Sequence, residues 1–67
     1  MNNLGERLRY LRQQRGLTLM ALEIASGVSF NTIGKSELGK SKPTLRTLRK
    51  LAPALGVELE ELWRMRP

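Results

Sequence analysis

Apolar residues recur along the chain at helical spacing, in short stretches separated by glycines and by residues that cap helices. In the first stretch, Leu4, Leu8 and Leu11 follow the i, i+4, i+7 spacing of one buried helix face. The most regular stripe lies later in the chain and consists of Leu45, Leu48, Leu51, Ala52 and Leu55. The pattern predicts an all-α fold in which the helix that carries this second stripe anchors a leucine-rich core.

Local signals delimit the first helix. Asn3 is a good N-cap, and Glu6 three residues later gives the spacing of a capping box. Gly16 stands where a glycine commonly follows the end of a helix. We therefore expect a helix from about Leu4 to Arg15.

The segment from Thr18 to Pro43 has the spacing of two short helices joined by a tight turn that contains glycine. Thr18 is expected to cap the second helix, which Gly27 ends. Ser29 then caps the third helix, which Gly39 ends. Helices of about eight to ten residues are marginal in isolation, so tertiary packing must hold them. This arrangement is a helix-turn-helix, a motif whose second helix can enter a DNA groove.

Two further helices follow. Thr44 is expected to cap the fourth helix, and Pro53 to tighten its last turn before Gly56 ends it. The fifth helix has an acidic first turn and a basic end, the arrangement that the helix dipole favours. We expect its apolar side chains to pack on the core: Leu59, Leu62 and Trp63. The prediction is a single five-helix domain over residues 1–67.

Length and composition exclude several classes of protein. A chain of 67 residues buries only about 60% of its unfolded surface and cannot enclose a large active-site cavity. The chain has no cysteine and no histidine, so we expect no disulfide, no metal site, no cofactor and no enzymatic activity. Its longest apolar run, Leu19 to Leu22, is far shorter than the roughly 20 residues of a membrane span. No signal-peptide pattern precedes the first helix, and we expect a soluble, cytoplasmic protein without a membrane partner.

The chain is strongly basic, and the charge is unevenly distributed. Twelve Lys and Arg residues against six Asp and Glu residues give a formal net charge of +6. Between Lys35 and Lys50 there are six basic residues and one acid, Glu37. Polyanions are natural partners of such a segment. An equally weighted alternative is that these residues simply solvate the helix surfaces of a small domain.

The order of turns, caps and apolar stripes resembles that of a known family. The segments LGERLRYLRQQRGLT, ALEIASGVS, NTI, ELGKSKPTLRTLRKLAPALGV and LEELW are similar to the five-helix DNA-binding domain of the lambda-type phage repressor and Cro family, which is XRE-like. The resemblance covers essentially the whole chain. Residues 27–29 fall at the family's turn between helices, and Ile33 falls at a buried position of its recognition helix.

The resemblance implies that the chain binds double-stranded DNA, with a recognition helix at about residues 29–38 in the major groove. The side chains that it places against base edges are Phe30, Asn31, Thr32 and Lys35. The residues that it places at phosphates are Ser29, Lys40, Lys42 and Thr44. If four phosphates are neutralised, the slope of log affinity against log salt is about −3.6. Family members usually bind palindromic DNA as dimers, so a homodimer is a further alternative.

Other residues match or depart from the family pattern. Arg12 and Glu37 match positions that commonly pair, and we assign this pair a structural role because a buried carboxylate needs a partner. Glu23 stands where the family prefers a small residue. Ser36 stands where it buries a large aliphatic one, and Gly34 weakens a short helix by about 1 kcal/mol relative to Ala.

One alternative to DNA binding follows from the departures in the second and third helices. Leu19, Met20 and Phe30 would form an exposed apolar patch for a protein partner, on a repressor-like scaffold that is natural or engineered. Other apolar side chains of the second helix region are expected in the core. These are Leu22, Ile24 and Ala25.

A second alternative is a small pocket lined by Glu23, Gly34 and Ser36, in which Glu23 is a ligand site or general base. No nucleophile-base pair and no phosphate-binding glycine loop accompanies it in the sequence. The simpler expectation for Glu23 is that its side chain turns outward to Lys35 or another basic residue.

Overall fold

A computed structural model gives the structure of residues 3–65. In this range the chain forms five helices and no strand: α1 (Leu4–Gln14), α2 (Leu19–Ser26), α3 (Phe30–Glu37), α4 (Leu45–Leu55) and α5 (Leu59–Trp63). The predicted all-α, five-helix fold is confirmed. Helix α1 ends one residue earlier than expected, with Arg15 as its C-cap. Within the described range, none of the helices has both the length and the apolar character that crossing a membrane requires.

Side-chain caps begin four of the five helices, as the sequence predicted. Each cap accepts a hydrogen bond of 2.9 to 3.2 Å from the backbone N–H three residues later, and the caps are Asn3, Thr18, Ser29 and Thr44. Gly27 ends α2 in the left-handed region, with φ 79°, and its N–H donates to the carbonyl of Glu23. Glycine adopts this conformation without a steric cost, which allows the chain to turn sharply between α2 and α3.

The core lies around α4, which packs against α2 and α5, while α1 packs against α3 and α5. Six side chains are less than 2% exposed: Leu8, Leu22, Ile33, Leu48, Leu51 and Leu62. They come from all five helices, so each short helix is held by the same cluster. Ile33 is the α3 residue in this cluster. Because its side chain faces the core, the opposite side of α3 faces solvent.

Three apolar side chains that were expected in the core lie at the surface. Ile24 is 82% exposed, because it is two residues from the buried Leu22 and so lies about 200° away around α2. Ala25 is exposed as well. Trp63, the last residue of α5, is 40% exposed, since it follows directly after the buried Leu62. Leu59 packs against the core as predicted.

Gly5 lets the start of α1 approach the end of α3 closely. The residue is buried, and a Cβ atom at this position would lie 2.6 Å from the carbonyl oxygen of Ser36 and 2.7 Å from that of Glu37. Both obstacles are backbone atoms of a helix, which cannot rotate aside as a flexible side chain would. The contact between α1 and α3 therefore requires glycine at position 5.

We expect Gly5→Ala to lower the free energy of unfolding by about 1–3 kcal/mol, because the added methyl overpacks this contact. Gly34→Ala is the matched control, since the new Cβ would lie 3.7 Å from Leu19 Cδ1, an ordinary contact. That substitution should raise stability by about 1 kcal/mol through helix propensity. Urea denaturation followed by circular dichroism measures both, and a change of the same sign in the two variants would contradict the packing described for Gly5.

Candidate nucleic-acid interface

An ion pair between Arg12 and Glu37 fixes the orientation of α3. Arg12 Nε donates to Glu37 Oε2 at 2.7 Å and Nη2 donates to Oε1 at 3.0 Å, so the two side chains meet in a bidentate arrangement. Arg12 Nη1 also donates to the carbonyl of Leu17 at 2.8 Å. The side chains are only 13% and 6% exposed. The predicted pair therefore forms, and it joins α1, the loop before α2 and the end of α3.

The hydrogen bonds to Glu37 are the main reason why the pKa of Arg12 is raised above its ordinary value, with the carboxylate's charge adding to the effect and burial opposing it. Arginine is already protonated throughout the range of pH in which proteins fold. The guanidinium therefore stays charged under any condition in which the domain folds. The pair is a permanent tie between α1 and α3.

The outer face of α3 carries the side chains that were predicted to read bases. Phe30, Asn31 and Thr32 lie exposed in the first turn, and Lys35 lies exposed in the second. Beneath them the side chain of Ile33 is fully buried in the core. The structure thus brings the four predicted base-reading side chains together on one supported, solvent-exposed helix.

Of the residues predicted to meet phosphates, Ser29 precedes α3 and the other three follow it in the chain. Lys40 and Lys42 are exposed in the loop between α3 and α4, and Thr44 begins α4. The hydroxyls of Ser29 and Thr44 are already used as caps, and each also bonds a threonine hydroxyl three residues later. What these two positions offer is a helix N-terminus rather than a free hydroxyl. Two further cations, Arg46 and Arg49, are exposed in the first half of α4 and add to the positive charge of this region.

Leu19 does not belong to an exposed apolar patch. Its side chain is partly buried and packs against the core, and its Cδ1 lies beside Gly34. Met20 and Phe30 are exposed as predicted. The patch predicted from Leu19, Met20 and Phe30 is therefore incomplete.

Glu23 caps the start of α3. Its Oε1 accepts a hydrogen bond from the backbone N–H of Phe30 at 2.7 Å. It does not pair with Lys35, and it does not face a pocket with Gly34 and Ser36. The sequence pattern does not reveal this contact, because a cap is recognised by a three-residue spacing within one helix, whereas Glu23 lies across the turn, seven residues before Phe30.

Ser36 borders a cleft that differs from the predicted pocket. Ser36 is 2% exposed, and its hydroxyl has no hydrogen-bond partner among the described residues. A cleft of about 110 Å³ lies beside it, between the start of α1 and the loop before α4, and Leu4, Lys42 and Pro43 are among its lining residues. Neither Glu23 nor Gly34 lines this cleft. The Ser36 hydroxyl is thus a buried polar group without a hydrogen-bond partner, and no carboxylate is among the residues that line the cleft.

Comparison with known proteins identifies one family. A family model described as a helix-turn-helix domain matches residues 3–64. The chain is 41% identical over 59 residues to the HTH-type transcriptional regulator DdrOP3 of Deinococcus deserti, a match that covers 88% of this chain and 46% of that protein. The chain spans less than half the length of the first curated relatives it matches.

Solved structures share the arrangement of the helices. The restriction-modification controller protein C.AhdI of Aeromonas hydrophila superposes with a TM-score of 0.83 at 39% identity, covering 88% of this chain and 89% of that one. The DNA-binding domain of BldD from S. venezulae superposes with a TM-score of 0.78 at 34% identity, covering 98% and 94% of the two chains.

We expect Ser36→Ala to raise the free energy of unfolding by about 1–2 kcal/mol, because it removes a buried hydroxyl that has no partner. Ser26→Ala is the matched control. The Ser26 hydroxyl donates to the carbonyl of Leu22 at 2.7 Å and accepts from the N–H of Val28 at 3.1 Å, so its loss should cost about 1 kcal/mol. Thermal melts of both variants measure the difference, and a destabilised Ser36→Ala protein would show that the hydroxyl has a partner.

We expect Glu37→Leu to lower the free energy of unfolding by about 3–5 kcal/mol, since it leaves the Arg12 guanidinium buried without its partner. The double variant Arg12→Met with Glu37→Leu should lose much less than the sum of the two single losses. A double-mutant cycle in guanidinium chloride measures the coupling. Additive losses would mean that the two side chains contribute independently.

Proposed function

Because the chain belongs to the helix-turn-helix domain family, we propose that it binds double-stranded DNA with α3 in the major groove. The observation that carries the proposal is the exposed face of α3, where Phe30, Asn31 and Lys35 stand above the buried Ile33. A rigid support beneath exposed polar side chains is what base recognition needs. The related BldD domain, which is described as DNA-binding, supports the same assignment.

Each side chain on this face has a chemistry that suits a base edge. Asn31 can bond an adenine with its amide oxygen and nitrogen together. Lys35 can donate to a guanine or to a phosphate, and Phe30 can contact the methyl group of a thymine. Thr32 has a hydroxyl that suits either kind of base, although this hydroxyl also bonds Ser29.

The DNA backbone is held, in this proposal, by the loop between α3 and α4 and by the start of α4. Lys40 and Lys42 are exposed cations, and the Thr44 cap begins a helix whose dipole favours an anion at that end. These contacts orient the domain without reading sequence. Ser29 fits this group less well than the others, because its hydroxyl is committed to the start of α3.

As a DNA-binding domain, the chain is a recognition module and not an enzyme. Its relatives are named transcriptional regulators, and we propose that this domain directs such a regulator to its sites in the cytoplasm. We propose that residues 1–67 form a single helix-turn-helix domain. Palindromic operators would require a homodimer whose two α3 helices are about 34 Å apart.

We expect fluorescence polarisation with a mixed-sequence duplex to show binding that weakens steeply with salt. Lys42→Ala should reduce the slope of log affinity against log salt by about 0.9, because one phosphate contact is lost. Asn31→Ala should instead alter the preference among duplexes, by about 1–3 kcal/mol at the adenine that it reads.

Arg64→Ala is the charge-matched control for Lys42→Ala, since it removes one exposed cation directly after α5, a helix that packs against α1 and α4. It should leave the salt slope nearly unchanged. Absence of duplex binding by the parent protein at low salt would refute the proposed function.

A further inference from the structure

Glu23 places a carboxylate at the end of α3 that the proposed function puts nearest the DNA. We propose that this carboxylate lowers the affinity of the domain for the DNA backbone, so that base contacts must supply a larger share of the binding. The inference rests on the proposed function and concerns the same face. It assigns to Glu23 a role in setting how tightly the domain binds DNA without regard to sequence.

Two of the amides at the start of α3 already donate to side chains. The N–H of Phe30 donates to Glu23 Oε1 at 2.7 Å, and the N–H of Thr32 donates to the Ser29 hydroxyl at 3.2 Å. These are among the donors that a phosphate would otherwise use at a helix N-terminus. Glu23 therefore fills with its own anion a position where the helix dipole favours negative charge.

The start of α4 has the opposite character. Thr44 caps it with a neutral hydroxyl, its first turn contains no acidic residue, and exposed Lys42 and Arg46 flank it. The helix dipole and the side-chain charges both attract an anion there. Of the two helix N-termini next to the candidate interface, α4 attracts phosphate, whereas α3 carries a carboxylate.

The charge of Glu23 is not cancelled by an ion pair. Salt bridges within residues 3–65 engage Glu37, Glu60 and Glu61, and none engages Glu23. The side chain is partly exposed, so its field extends into the space in front of α3. A phosphate within one Debye length, about 8 Å at physiological salt, is repelled by it.

This repulsion acts on every duplex in the same way, because all sequences carry the same phosphates. It therefore offsets part of the attraction due to the basic segment between Lys35 and Lys50. A regulator competes for its site against a large excess of other genomic DNA, and weaker backbone attraction reduces its retention there.

Glu23→Gln tests the proposal, because a glutamine keeps an oxygen that can accept the Phe30 N–H, while the side chain becomes neutral. Glu60→Gln is the matched control, since it makes the same change in net charge on α5, where Glu60 is 84% exposed. Fluorescence polarisation titrations with a mixed-sequence duplex are made at two salt concentrations. Circular dichroism melts set a temperature at which both variants are folded.

We expect Glu23→Gln to bind the mixed-sequence duplex about three- to tenfold more tightly than the parent at low salt. The gain should shrink at higher salt, and Glu60→Gln should show little of it. The relative affinities for different duplexes should be unchanged. Tightening of this kind supports the proposal.

Two outcomes would overturn it. Equal effects of Glu23→Gln and Glu60→Gln would mean that Glu23 acts only through net charge. Weaker binding of Glu23→Gln to one duplex, without change on others, would mean that the carboxylate accepts a hydrogen bond from a base. In both cases the parent still binds DNA, so the proposed function stands, whereas failure of the parent and both variants to bind would refute the proposed function itself.

Discussion

The ion pair between Arg12 and Glu37 is the constraint on which the rest of this domain depends. It is a nearly buried, bidentate contact that joins α1 to the last residue of α3 and, through Leu17, to the loop that leads into α2. Gly5 makes it possible, because α1 can lie against the end of α3 without a side chain between them. With α3 held at its C-terminal end and Ile33 buried in the core, the first turn of α3 points outward.

The electrostatics of the domain follow from this geometry. The net charge of +6 is concentrated in the loop after α3 and along α4, where it favours any polyanion. The one carboxylate at the start of α3 opposes this general attraction at the place where recognition of particular bases is proposed. The same fold thus holds attractive and repulsive charges close together, at the two ends of α3.

Much of the fold could be predicted from the sequence, because its signals are local. Asn3, Thr18, Ser29 and Thr44 cap the helices that they were expected to cap, since a cap needs only a hydroxyl or amide before a helical stretch. Contacts across turns could not be predicted in this way. The Glu23 bond to Phe30 and the outward position of Ile24 depend on how α2 lies against α3. Because α2 carries apolar residues on nearly every side, its sequence does not show which face is buried.

The composition of α3 has a consequence for its motions. The helix is eight residues long, with Gly34 near its middle and the unpaired Ser36 hydroxyl beneath it. Both features favour local opening relative to the longer, leucine-lined α4, so we expect the amide protons of α3 to exchange with solvent sooner than those of α4. A ligand that holds α3 in place reduces the conformational entropy of that helix, so favourable enthalpy must offset a larger cost than for a stiffer helix.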